Sequence, residues 1–81
     1  MYIHLGGEKI VRVSEVVAIF DVSIEQFSKL TQQFLEHLRQ AKRAETIGDE
    51  EPKSIVVTAD KVYYSPISSA TLKRRTTILT E

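Results

Sequence analysis

The feature that most constrains the fold of this chain is a run of β-branched residues at positions 55–58, Ile-Val-Val-Thr. Such a run is typical of a strand that is buried on both faces of a sheet. A second run at 62–64, Val-Tyr-Tyr, follows after a short polar segment that suits a hairpin turn. Pro66 ends this second strand, because proline cannot donate a hydrogen bond to a sheet. The two runs therefore predict a hairpin whose first strand lies in the interior.

The rest of the chain predicts further strands and two helices. Alternating residues on either side of Gly6-Gly7 predict a hairpin, and the apolar run at 16–20 predicts another buried strand. Apolar residues recur at steps of three and four over 24–43, which predicts one long amphipathic helix. Ser68 or Ser69 can cap a short helix that ends in cations. This order predicts an α+β domain with a small, mostly antiparallel sheet, one long amphipathic helix and a short C-terminal helix.

Size and composition limit the possible classes of protein. The 81 residues predict a single domain at 1–76 with a short tail at 77–81. A chain this short buries roughly 60–65% of its unfolded surface, so oligomerisation is a route to extra stability. The absence of cysteine excludes disulfides and cysteine metal sites. No apolar run approaches the roughly 20 residues of a membrane span, and no signal-peptide pattern is visible. We therefore expect a cytoplasmic protein that does not enter a membrane.

Charge is balanced overall but unevenly distributed. The formal net charge is zero, which argues against a protein that coats nucleic acid without specificity. Acidic residues predominate over 44–60, where Lys53 is the single cation, and cations predominate over 61–81. The cluster Lys73-Arg74-Arg75 can contact phosphates. From composition alone, the cluster is more typical of a solvated helix C-terminus, where cations are favoured by the helix dipole.

Other polar residues give weaker signals. Tyr63 and Tyr64 can offer hydroxyl groups to a sugar–phosphate backbone, but in a strand they face opposite sides, so at least one belongs to a core. His4 and His37 are far apart in sequence and have no metal-ligand spacing. The apolar stripe of the long helix either covers the chain's own sheet or docks against a partner helix. We assign no catalytic, cofactor-binding or metal-binding residues, and nothing in the sequence supports an enzyme.

The order and spacing of several segments resemble the RemA/RemB family of extracellular-matrix regulators. The similarity is strongest over 52–74, which contains the two strand runs and most of the segment Ser68-Ser69-Ala70-Thr71-Leu72-Lys73-Arg74-Arg75, and it extends to 1–6 and 16–21. The resemblance implies a bacterial, cytoplasmic regulator of biofilm-matrix genes. It also implies that the chain binds double-stranded DNA and assembles as a ring-like homo-oligomer.

One segment departs from the family pattern. RemA-like proteins carry an arginine-rich element that enters the central strand and matters for DNA binding, whereas this chain has Glu50, Glu51 and Pro52 there. Only Lys53 keeps a positive charge. The resemblance thus implies a DNA contact for Lys53, and local charge density adds Lys73, Arg74 and Arg75. The alternative hypothesis is an oligomeric interaction scaffold of the same fold without direct DNA binding, which the acidic residues favour.

Overall fold

The computed structural model describes the backbone of residues 1–80 and the side chains of residues 1–76. Its strands and helices follow one another as predicted for an α+β chain, with a short additional strand after the long helix. In chain order they are β1 (Tyr2–Gly6), β2 (Lys9–Arg12), a 3₁₀ turn (Val13–Glu15), β3 (Val16–Asp21), α1 (Ile24–Phe27), α2 (Lys29–Gln40), β4 (Ala44–Thr46), β5 (Ser54–Thr58), β6 (Val62–Ser65) and α3 (Ser69–Thr80).

Strands β1 and β2 form the predicted hairpin through Gly6-Gly7. The two strands pair antiparallel, with Ile3 opposite Val11. Gly6 has a φ of 112° and Gly7 a φ of 53°, a region that disfavours other residues. A Cβ atom on Gly6 would also lie 3.0 Å from Cγ of Pro66. Both the turn and the close approach to the loop after β6 therefore depend on glycine.

The larger sheet has the strand order β3-β5-β6-β4. The β3–β5 and β5–β6 pairs are antiparallel, and β4 pairs parallel to β6. Strand β5 lies inside the sheet, and Ile55 and Val56, which face opposite sides, are both almost fully buried. The prediction of a central strand covered on both faces is confirmed.

Two apolar cores lie on the two faces of this sheet. On one face, the hairpin and α3 pack against the sheet through Leu5, Leu72 and Val56. On the other face, α2 packs through Leu35 against Ile55 and its neighbours. The described chain therefore has three layers: the hairpin with α3, then the four-stranded sheet, then α2. The predicted α+β class is confirmed.

The segment predicted as one helix over 24–43 differs in detail. Ser28 has an extended backbone (φ −139°, ψ 110°) and separates α1 from α2. Its Oγ accepts a hydrogen bond from the backbone N–H of Thr31 at 3.1 Å, which caps α2. The helix ends at Gln40, and the chain then forms β4, a short strand that the sequence pattern did not predict. Its pairing is with a strand distant in sequence, so local periodicity carries no sign of it.

The predicted short C-terminal helix is present and extends beyond the cations. Ser68 is the cap, since its Oγ accepts a hydrogen bond from the Thr71 N–H at 3.2 Å. The helix was expected to end at Lys73-Arg74-Arg75, and this boundary is wrong, because α3 continues to Thr80. The division into a domain at 1–76 and a tail at 77–81 stays a prediction, and Glu81 lies outside the described residues. Over residues 1–80, none of the helices combines the length and apolar character needed to cross a bilayer.

Candidate nucleic-acid interface

Lys53 lies immediately before β5, on a main chain that two hydrogen bonds hold in place. Its backbone N–H donates to the Ser65 carbonyl at 2.8 Å, and its own carbonyl accepts from the Val22 N–H at 3.1 Å. The main chain is thus held between the ends of β6 and β3, while the side chain is exposed. Within the part of the chain whose side chains are described, Lys53 forms no ion pair. A fixed backbone with an available ammonium group is well suited to a phosphate contact.

The acidic residues beside Lys53 lie on the same exposed loop. Glu50 and Glu51 are exposed, and the loop that carries them is held at both ends by hydrogen bonds to β6. One end is the Ile47 N–H, which donates to the Tyr64 carbonyl at 2.9 Å, and the other is Lys53. Two carboxylates therefore lie within three residues of Lys53 on one exposed loop, and their negative charge lowers the attraction of this loop for phosphate.

The three cations of α3 point in different directions, because successive helical residues are rotated by roughly 100°. Arg75 Nη1 donates to the His4 carbonyl at 2.9 Å and so lies over the hairpin. Arg74 Nη2 donates to Thr71 Oγ1 at 3.3 Å. Lys73 lines a groove with Val13, Val16 and their neighbours beside β3. All three side chains are exposed, but they surround the helix and do not form one patch.

The structure separates Lys53 from Lys73. Lys53 precedes the first residue of β5, whereas Lys73 shares its groove with Val16, which pairs with Thr58 at the far end of β5. At roughly 3.3 Å per residue, the length of this strand places the two sites about 15 Å apart along the sheet. Arg75 is nearer to the Lys53 end, because it reaches the hairpin and the hairpin is hydrogen-bonded to Ser65 through Leu5.

Both tyrosines of β6 belong to the interior. Tyr63 is 7% exposed and lies under the Lys9 ammonium, which is 4.9 Å from the ring centre. Tyr64 is equally buried, and its hydroxyl donates to Glu25 at 2.9 Å. Burial, with the hydrogen bond to Glu25 adding to it, raises the pKa of Tyr64 to about 12. The sequence was compatible with one tyrosine contacting a sugar–phosphate backbone. Because β6 is covered on both faces, neither ring is accessible to DNA.

Several cations outside the predicted set are held by acidic partners. Arg39 Nη2 lies 2.9 Å from Glu25 Oε1 and also donates to the Tyr64 hydroxyl. Lys9 and Lys61 both approach Glu45, at 3.9 and 3.8 Å. These pairs join residues far apart in sequence, so no local pattern indicates them. Their charges are partly compensated, which makes them weaker candidates for phosphate than Lys53.

The histidines are not gathered into a metal site in the part of the chain that is described. His4 Nε2 lies 2.7 Å from the Gly7 carbonyl, within its own hairpin. No group of three or more His, Asp or Glu side chains among the described residues could hold a metal ion.

This structure defines the class of protein as a small three-layer α+β domain with exposed cations at a strand end and on its last helix. The chain matches the RemA-like family, described as extracellular matrix regulatory protein A-like, over residues 2–76, and it belongs to that family. It is 41% identical to the extracellular matrix regulatory protein B of Bacillus subtilis (strain 168). That similarity spans 81 residues, which are 100% of this chain and 96% of the relative. The resemblance inferred from the sequence is confirmed.

Proposed function

We propose that this chain is a DNA-binding transcriptional regulator of extracellular-matrix genes that acts in the bacterial cytoplasm as a homo-oligomer. The observation that carries the proposal is Lys53, an exposed cation on a backbone fixed by two hydrogen bonds, in a member of a family of extracellular matrix regulatory proteins. Arg74 and Arg75 add two exposed guanidinium groups, which grip phosphate more specifically than lysine does.

An oligomer is part of the proposal because Lys53 and the α3 cations lie at separate places on the domain. Across the residues whose side chains are described, these cations do not join into one continuous basic surface. In an oligomer, equivalent cations of successive copies line up along a duplex. Once one copy has bound, the contacts of the other copies form within the same complex, at a high effective concentration. Exposed large apolar side chains support assembly as well: Phe27 is 82% exposed and Leu30 is 78% exposed.

A second function is favoured by one specific observation. Glu50 and Glu51 are exposed beside Lys53 and oppose its charge. This charge is expected if the chain is an oligomeric interaction scaffold of the same fold without direct DNA binding, because such a protein has no need for a basic loop. The two functions differ in whether the protein binds DNA at low salt, where phosphate attraction is strongest.

The proposal is tested by titrating duplex DNA from upstream of matrix genes, and an unrelated duplex, at several salt concentrations. We expect the double substitution Arg74→Ala and Arg75→Ala to lower affinity and to flatten the salt dependence, by about 0.9 in the log–log slope for each phosphate that the variant no longer binds. Lys53→Ala should act in the same direction, more weakly. Lys29→Ala, on the α2 layer, serves as a matched control and should leave binding unchanged.

Light scattering on each variant checks that the oligomer is intact, and thermal unfolding checks the effect of removing the Arg75 hydrogen bond to the hairpin. Unchanged binding in the arginine and Lys53 variants would remove these residues from the DNA surface. The absence of binding by the unaltered protein at low salt would favour the scaffold.

A further inference from the structure

Two buried serines lie beside Lys53, where β5 begins and β6 ends. Ser54 and Ser65 are opposite each other in the sheet, and both side chains are fully buried. A buried hydroxyl group is unfavourable without a hydrogen bond, so its partner matters. Ser54 Oγ donates to the Ile67 carbonyl at 2.7 Å. Ser65 Oγ donates to the Leu5 carbonyl, so the two hydroxyl groups join the four-stranded sheet to the layer that covers it.

One path of hydrogen bonds runs from Lys53 through Ser65 to Arg75. The Lys53 N–H donates to the Ser65 carbonyl at 2.8 Å, and the Ser65 hydroxyl donates to the carbonyl of Leu5 in β1. The residue before Leu5 is His4, whose carbonyl accepts from Arg75 Nη1 at 2.9 Å. Up to the Arg75 side chain, the path consists of main chain joined by one buried hydroxyl group. The fold therefore fixes where the Arg75 guanidinium lies with respect to the Lys53 main chain.

A second path runs through the beginning of α3. Ser54 binds the Ile67 carbonyl, and Ser65 Oγ accepts a hydrogen bond from the Ile67 N–H at 3.1 Å. Both main-chain polar groups of this residue are thus held by the two serines. The next residue, Ser68, caps α3, and Arg75 lies about two turns further along the helix. The two serines therefore fix the helix that carries the arginine as well as the hairpin that the arginine contacts.

Lys53 and Arg75 both keep polar groups available for a phosphate. Both side chains are exposed, and neither forms an ion pair among the residues whose side chains are described. The hydrogen bond to His4 uses one N–H of the Arg75 guanidinium, which has several. Two exposed cations whose main-chain positions are tied together are suited to grip one sugar–phosphate backbone at two points.

We propose that Ser54 and Ser65 are positioning residues, which hold Lys53 and Arg75 at the spacing of a two-point phosphate contact on DNA. This inference rests on the proposed function and adds that the two cations act together within one copy. Fixed spacing strengthens binding, because the second contact forms at high effective concentration once the first is made. Since both hydroxyl groups are fully buried, the serines act only through the cations that they position.

The first test leaves the serines unchanged. The affinities of the unaltered protein, Lys53→Ala, Arg75→Ala and the double variant for duplex DNA from upstream of matrix genes are measured by fluorescence anisotropy at low salt. If the two cations act as one contact, the loss of affinity in the double variant is smaller than the product of the two single losses by at least about threefold. A loss closer to that product overturns the inference.

The second test removes a hydroxyl group and leaves every charge in place. In a Ser54→Ala background, we expect the losses from Lys53→Ala and Arg75→Ala to multiply to within about twofold. The matched control is Thr58→Val, because Thr58 is a buried hydroxyl on the same strand and donates to the Lys61 carbonyl at 2.9 Å. It lies at the end of β5 far from Lys53, so the coupling between the two cations should equal that in the unaltered protein.

This comparison separates positioning from stability. Ser54→Ala and Thr58→Val each leave a buried carbonyl without its hydroxyl partner, so both should lower the midpoint of thermal unfolding. Affinities are measured well below both midpoints, and light scattering checks that assembly is unchanged. Equal coupling in the two backgrounds overturns the inference alone, and the first test decides it if Ser54→Ala does not fold. An unaltered protein that does not bind DNA at low salt overturns both this inference and the proposed function.

Discussion

Reversal of charge at the acidic loop is the sharpest perturbation of the proposed DNA surface. In the variant Glu50→Arg with Glu51→Arg, two anions beside Lys53 become two cations. Both side chains are exposed, and the main chain is held on both sides by hydrogen bonds to β6. The substitutions therefore present new guanidinium groups at a fixed place, and we expect the free energy of unfolding to change by no more than about 0.5 kcal/mol.

The expected size of the effect follows from counterion release. If each new arginine binds one phosphate, the log–log slope of affinity against salt steepens by about 1.8 for every copy on the DNA. Between about 50 and 200 mM salt, that change alone corresponds to roughly a tenfold difference per copy. Fluorescence anisotropy with a labelled duplex over this salt range measures both the affinity and the slope.

The control for this prediction places the same charges elsewhere. Glu15→Arg with Asp60→Arg makes an equal change of net charge at the other end of the sheet, since Val16 next to Glu15 pairs with Thr58 near Asp60. A loop variant that binds DNA no more tightly than the unaltered protein would contradict this prediction. A control variant that gains as much affinity would also contradict it, because the gain would then come from net charge and not from the loop.

Two further predictions concern stability. Leu72 of α3 is fully buried against the hairpin and the sheet, so Leu72→Ala should lower the free energy of unfolding, measured in urea, by about 2 to 5 kcal/mol. Arg74→Ala on the same helix should lower it by less than about 1 kcal/mol. Similar decreases for the two variants would contradict the packing described. Because burial and Glu25 raise the pKa of Tyr64 to about 12 from its ordinary value of 10.0, the unfolded chain releases its phenolic proton first. The free energy of unfolding should then fall as pH rises from about 10 to about 12. Urea titrations across this range should show a smaller fall for Tyr64→Phe than for the unaltered protein. Equal falls in the two proteins would show that Tyr64 does not cause the effect.

Elements whose signals are local could be predicted from the amino-acid sequence. The β-branched run of β5 predicted a strand covered on both faces, since no polar alternation breaks it. Gly6-Gly7 predicted the first hairpin, because the turn requires positive φ angles that glycine adopts without strain. The order of segments over 52–74 also indicated the family. In each case, the information lies in neighbouring residues and needs no knowledge of distant contacts.

The break in the predicted helix is a local feature that the apolar repeat conceals: Ser28 divides the helix where its side chain caps α2, although the repeat runs through it. Other features depend on distant partners and emerged only when the chain was folded. Strand β4 forms because it pairs parallel to β6, and three residues carry no periodicity of their own. The sequence placed Lys53 and Lys73 in one candidate set, but the length of β5 holds them apart. Whether charges meet depends on the path of the chain between them, and that path is set by the packing of two layers on one sheet.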